Sequence, residues 1–269
     1  MLFFYAHYFI ALAAVASFLQ TWNVLKIAPT SPVLELCGFV FFATLGVYNL
    51  HAIIGLQYLK KVNFDDSARL SALQKRPRLA WANLCIALLF GGYCTFFLVD
   101  YALLLPPFLL ALAYVAPIWR GHRLRDFGQP KLFVLAFVWA WATVILPFGW
   151  SVLTLAAAGE RALFIFALTL PFDVRDMALD AKEEVQTLAA RLGRDKSIVI
   201  SAVLLVAWGV ASGVFYGRPL FFLAGGVSAA AVGGLLIWKK AADWYFSVLL
   251  DGLIIGIFLL LYFGVGTRI

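Results

Sequence analysis

Apolar residues in this chain gather into nine long blocks separated by short polar stretches. They run roughly over 2–25, 33–58, 79–98, 101–118, 132–150, 155–172, 197–216, 219–238 and 244–264. Each block is close to the ~20 residues an α-helix needs to cross the hydrocarbon core of a bilayer. None shows the in–out alternation of a barrel strand. The pattern predicts an all-α fold: a polytopic membrane helix bundle of about nine transmembrane helices, with residues 1–269 forming one domain. Pro29, Pro32, Pro77, Pro130 and Pro219 stand at or near segment starts, where a missing N–H costs little. Pro106, Pro107 and Pro117 fall inside or near the end of the fourth segment and predict a kink there.

Composition narrows the class further. Of 269 residues, 64% are hydrophobic and 13% charged, which excludes a soluble globular enzyme, a disordered chain and a disulfide scaffold. Cys37, Cys85 and Cys94 lie inside apolar stretches without metal-ligand spacing and read as small packing residues. The first basic residue is Lys26, so the charged leader of a signal peptide is missing. The net charge of +7 would suggest nucleic acid in a soluble protein. Here the basic residues concentrate at 59–80, 119–131, 173–196 and 239–240, leaving only Lys26, Arg161, Arg218 and Arg268 elsewhere. With nine spans those four fall on the opposite side. Basic loops mark the cytoplasmic face, so the reading is a bilayer protein and not a nucleic-acid binder. It places the N-terminus inside, the C-terminus outside and a polar mouth toward the cytoplasm, in a bacterial inner membrane.

Candidate chemistry concentrates directly after the sixth segment. Asp173, Asp176 and Asp180 stand at i, i+3 and i+7, which on a helix puts three carboxylates on one face. Their mutual repulsion needs compensation. An oxygen-only donor set suits Mg²⁺, and Mg²⁺ held by one or two carboxylates usually binds phosphate at its other positions. The alternative is a solvated acidic helix start. Asp251 lies inside the ninth apolar segment, where an ionisable group is costly and marks a ligand site or a buried ion pair. Arg76, Arg78, Arg120, Lys131 and Lys182 can meet a diphosphate or simply face lipid headgroups. His51 reads as a local hydrogen-bonding residue.

The stretch Leu170-Pro171-Phe172-Asp173-Val174-Arg175-Asp176, followed by Asp180, Lys182, Thr187-Leu188-Ala189 and Gly193, resembles the second aspartate-rich motif of the UbiA prenyltransferase superfamily. Tyr114-Val115-Ala116-Pro117-Ile118-Trp119-Arg120, continuing through Leu124-Arg125-Asp126 to Lys131, resembles the loop after that family's fourth helix. Arg76-Pro77 resembles the step before its third helix. The resemblance covers nearly the whole chain and implies a UbiA-like fold. It also implies Mg²⁺ ions on two aspartate motifs, a prenyl diphosphate donor, and transfer of the prenyl group to an apolar or aromatic acceptor. Asp173, Asp176 and Asp180 are then the metal set, with Asp176 and Asp180 catalytic. Asn49, Arg76, Tyr114, Arg120, Lys131, Lys182 and Asp251 are candidates for substrate binding.

The first motif departs from the family. Its pattern is Asn-Asp-x-x-Asp-x-x-x-Asp, and here the stretch from Asn49 to Gln57 keeps Asn49 but reads Leu50, Ile53 and Gln57 at the aspartate positions. Leucine and isoleucine cannot ligate a metal. Asp65 and Asp66 follow in the same loop as possible replacements. The position after Tyr114 where the family has a lysine is Ile118, with Arg120 the nearest cation. Two functions follow: a membrane prenyltransferase, or a catalytically degenerate relative that binds a prenyl or lipid ligand without chemistry.

Overall fold

A computed structural model describes residues 2–59, 76–98, 100–116, 123–128, 130–182, 185–239 and 241–265. Among the described residues all regular structure is helical. The long rods are α1 (Leu2–Leu25), α2 (Val33–Leu59), α3 (Pro77–Thr95) and α4 (Leu105–Val115, entered through the 3₁₀ turn Tyr101–Leu104). They continue as α5 (Pro130–Phe148), α6 (Val152–Lys182), α7 (Arg194–Tyr216), α8 (Leu220–Ile237) and α9 (the π-helical turn Tyr245–Leu250 running into Asp251–Val265). Seven of these are long and apolar enough to cross a membrane; the others are α3 and the shorter α4. Every predicted segment has its helix.

Two expectations change. The helix of the sixth segment does not stop at 172 but runs to Lys182, with Pro171 inside it. The acidic stretch stays helical because two of its carboxylates are buried and paired, as described below. Pro106 and Pro107 do not kink a helix; they begin one, at the start of α4 after the 3₁₀ turn. The first helical turn has free N–H positions anyway, so proline fits there without losing a hydrogen bond. Pro117 lies outside the described residues.

Packing contacts close a circuit: α1 touches α2, α2 touches α4, and neighbours then follow in order through α9, which returns to α1. α3 packs on α2. α7 crosses α8 closely: a Cβ added to Gly209 would lie 2.8 Å from the Gly225 Cα. Lipid offers no hydrophobic drive for helices to associate, so small residues that let backbones approach are the means of packing. The main apolar cluster runs through α1, α5, α6, α7, α8 and α9 and includes Phe164, Leu168, Trp208, Phe221 and Leu250. Outward-facing residues stay apolar, for example Leu88, Phe133, Val203 and Leu223, as a lipid-facing surface requires.

Start signals set the register of α6. Ser151 Oγ accepts from the Thr154 N–H at 3.0 Å and Thr154 Oγ1 accepts from the Ser151 N–H at 2.8 Å. This reciprocal cap fixes the helix at one end. Seven residues separate Asp173 from Asp180, close to two turns, so both project to the same side.

Candidate functional site

Buried charge collects where α6 ends and α5 begins. Asp173 and Asp180 are 2% and 1% exposed. Lys131, the second residue of α5, reaches both: its Nζ lies 2.6 Å from Asp173 Oδ1 and 3.5 Å from Asp180 Oδ2. The compensation that carboxylate repulsion demands therefore comes from within the chain. Lysine at the positive end of a helix dipole is locally unfavourable, so the two carboxylates hold it there. The neighbouring backbone contributes. Gly128 has φ +75°, and a Cβ on it would fall 2.2 Å from the Gln186 carbonyl oxygen. The turn before α5 is thus pressed onto the stretch after α6. Leu132 packs with Leu170 and Ala189 to seal the same junction. Arg123 and Asp126 close the turn itself, with the Arg123 Nη2 to Asp126 Oδ1 distance at 2.8 Å.

Asp176 faces differently. Arg175 donates to both of its oxygens, from Nε at 2.8 Å and Nη2 at 3.0 Å. The same guanidinium lies 5.0 Å from the ring centre of Phe172 and 5.1 Å from that of Phe246, a double cation–π contact. Arg175 also interacts electrostatically with Asp251 and Asp243. Asp251 is half-buried and follows directly on the π-helical turn of α9, and such turns recur at functional positions.

The other sequence candidates spread around this centre. Tyr114, in the last turn of α4, has its ring 5.9 Å from His51 and lies within electrostatic reach of Lys131. Asn49 is fully buried, and its Nδ2 donates to Leu45 O of its own helix at 2.8 Å. Arg76 is exposed just ahead of α3, and Lys182 is exposed in the last turn of α6. Arg120, Asp65 and Asp66 lie outside the described residues, as does the side chain of Gln57.

The first-motif positions have a different use. Ile53 is buried against Ala80 and Leu84 of α3, with Leu50 beside it. They build the α2–α3 contact. This bears on the fit of Mg²⁺, which the resemblance implies. A two-ion clamp needs carboxylates on α2, and here an apolar contact occupies two of those positions, Leu50 and Ile53. On α6 the oxygen donors are of the right chemistry, but Asp173 and Asp180 hold an ammonium and Asp176 holds a guanidinium. Among the described residues no group of three His, Cys, Asp or Glu side chains is arranged to hold a metal ion. As arranged, the described residues do not fit Mg²⁺.

No protein-family model matches the chain, and no curated protein does. Solved structures do. A UbiA homolog from Aeropyrum pernix K1 aligns at TM-score 0.63 and 15% identity over 97% of this chain and 96% of that one. A UbiA homolog from Archaeoglobus fulgidus, bound to GPP and Mg²⁺, aligns at TM-score 0.62 and 13% identity over 95% and 98%. A digeranylgeranylglyceryl phosphate synthase aligns at 0.54 and 18% over 98% and 95%. This chain has the UbiA fold. Together with its apolar helices, that fold makes it an integral membrane protein.

Sequence reasoning missed a second polar network of this chain, far from the mouth. Arg161, counted among the basic residues of the outer side, lies within α6 and is 1% exposed. Its Nη1 donates to Gln20 Oε1 at 3.2 Å and its Nη2 to Thr21 Oγ1 at 3.3 Å. Glu160, next to it, accepts from Trp208 Nε1, from Ser212 Oγ at 3.0 Å and from Tyr216 OH at 3.3 Å. The i, i+4, i+8 spacing of those three donors on α7 was a signal available in the sequence.

Proposed function

We propose that this chain is a divergent member of the UbiA superfamily, forming a single domain over 1–269, and that it transfers a prenyl group from a prenyl diphosphate to a lipophilic acceptor. The observation that carries the reading is the concentration of ion pairs, the buried one of Lys131 with Asp173 and Asp180 and the half-buried one of Arg175 with Asp176, at one end of an apolar bundle of this fold. Such groups are expensive in a membrane protein and are kept where they handle a polar ligand. The diphosphate is held at the mouth, with Arg76 and Lys182 at its rim and Tyr114 and Asn49 at its inner border. The prenyl tail lies among the helices. The excess of basic residues in the loops at this end orients it to the cytoplasm.

The C–O bond to the diphosphate breaks and its electron pair leaves with the phosphate oxygen. Positive charge develops on the prenyl carbon, where the faces of Phe172 and Phe246 favour a cation. A nucleophilic atom of the acceptor bonds to that carbon and gives up a proton, for which Asp251 is the candidate carboxylate.

The test is diphosphate release by the purified chain over a panel of prenyl diphosphates and quinone-type acceptors. Turnover by the parent that is lost in Asp176→Asn supports the transferase. Binding of prenyl lipid with no release by either protein defeats it and leaves a binder without chemistry, the reading that the apolar Leu50 and Ile53 favour. No binding of any isoprenoid defeats both.

A further inference from the structure

We propose that Lys131 is the resident cation of this mouth and keeps the Asp173–Asp180 pair closed to divalent metal. The idea rests on the mouth being the headgroup end, as read above, and adds what holds its charge balance. A single nitrogen serves both carboxylates, at 2.6 Å and 3.5 Å. All three residues are buried, with exposures of 9%, 2% and 1% for Lys131, Asp173 and Asp180. A metal taking these oxygens must first strip them from the ammonium, which would then be left as a charge in the protein interior without its partners.

The chain also gives Lys131 little freedom to step aside. It sits one residue into α5, whose approach is fixed by the Gly128–Gln186 contact and whose next residue, Leu132, is locked into an apolar junction. A hard ion such as Mg²⁺ needs several oxygens at about 2.0–2.1 Å in octahedral array. The third carboxylate that could complete such a set, Asp176, is held by both donors of Arg175. Two fixed cations therefore stand where the metal-dependent chemistry would recruit mobile ones.

The test uses Mn²⁺ as the probe, titrated into the full-length chain in detergent and followed by electron paramagnetic resonance. The parent should bind Mn²⁺ weakly, and Asp173→Asn should not change that binding. Lys131→Met should raise Mn²⁺ affinity by at least ~10-fold, and adding Asp180→Asn should cancel the gain. Tight binding by the parent that is lost in Asp173→Asn overturns the proposal, and this comparison needs no Lys131 variant to fold. A folded Lys131→Met chain with no gain overturns it too. Neither readout involves a prenyl lipid, so failure of the transferase reading would show in the diphosphate assay and leave this result intact.

Discussion

The two halves of α6 treat buried charge in opposite ways. Near its start, Glu160 and Arg161 are hydrogen-bonded by neutral partners: an indole, two hydroxyls and, on the other side, an amide and a hydroxyl. These bonds tie α6 to α7 and to α1. Near its end, Asp173, Asp176 and Asp180 meet formal positive charges on Lys131 and Arg175. A charge bound by neutral dipoles is a fixed part of the scaffold, because removing it exposes several donors at once. A charge bound by an opposite charge leaves its partner uncompensated when removed, so another ion of the same sign can take its place. The difference separates a helix-joining network from a site, although both are built on charged residues of one helix.

The largest effect should come from breaking the ion-paired end. Lys131→Met leaves two buried carboxylates facing each other and should cost about 3–5 kcal/mol of stability, read from unfolding in mixed detergent. Millimolar Mn²⁺ should recover part of that loss, because the ion can take the vacated place. Next comes the neutral end. Glu160→Leu strands the donors of Trp208, Ser212 and Tyr216 and should cost about 2–3 kcal/mol. Divalent ions should restore none of it, and cation rescue of this variant would erase the distinction between the two ends. The smallest effect should come from Ile53→Ala on α2. It loosens the contact with Ala80 and Leu84 and should cost about 2 kcal/mol, with Mn²⁺ titrations unchanged from the parent. A change in metal binding there would mean that the first-motif positions belong to the mouth after all.

Much of this was legible in the chain. The nine apolar blocks start within about three residues of their helices, because span length and apolar continuity are local properties that a bilayer enforces on each segment separately. The acidic cluster was also legible, since its spacing and its place after an apolar span need no tertiary information. Arg161 shows where this stops. Counting basic residues by loop assigned it to the outer side, but nine residues inside α6 it turns inward to α1, a direction that depends on which helices are neighbours. Leu50 and Ile53 likewise announced that an aspartate motif was missing. Only the packing of α3 showed that the positions now serve an apolar contact.

From the chain alone came the class of molecule, the number and approximate starts of its apolar helices, and the residue types available at each end. The chain also determined that three carboxylates on one helix face would need positive charge beside them. What supplied that charge was decided by tertiary structure alone. Lys131 and Asp173 are far apart in the chain and on different helices, and they meet because the turn before α5 is pressed onto the stretch after α6 at Gly128 and Gln186. Periodicity fixes the face on which a residue lies, since it follows from backbone geometry. Pairing across helices follows from which faces are buried together, and that is a property of the whole bundle.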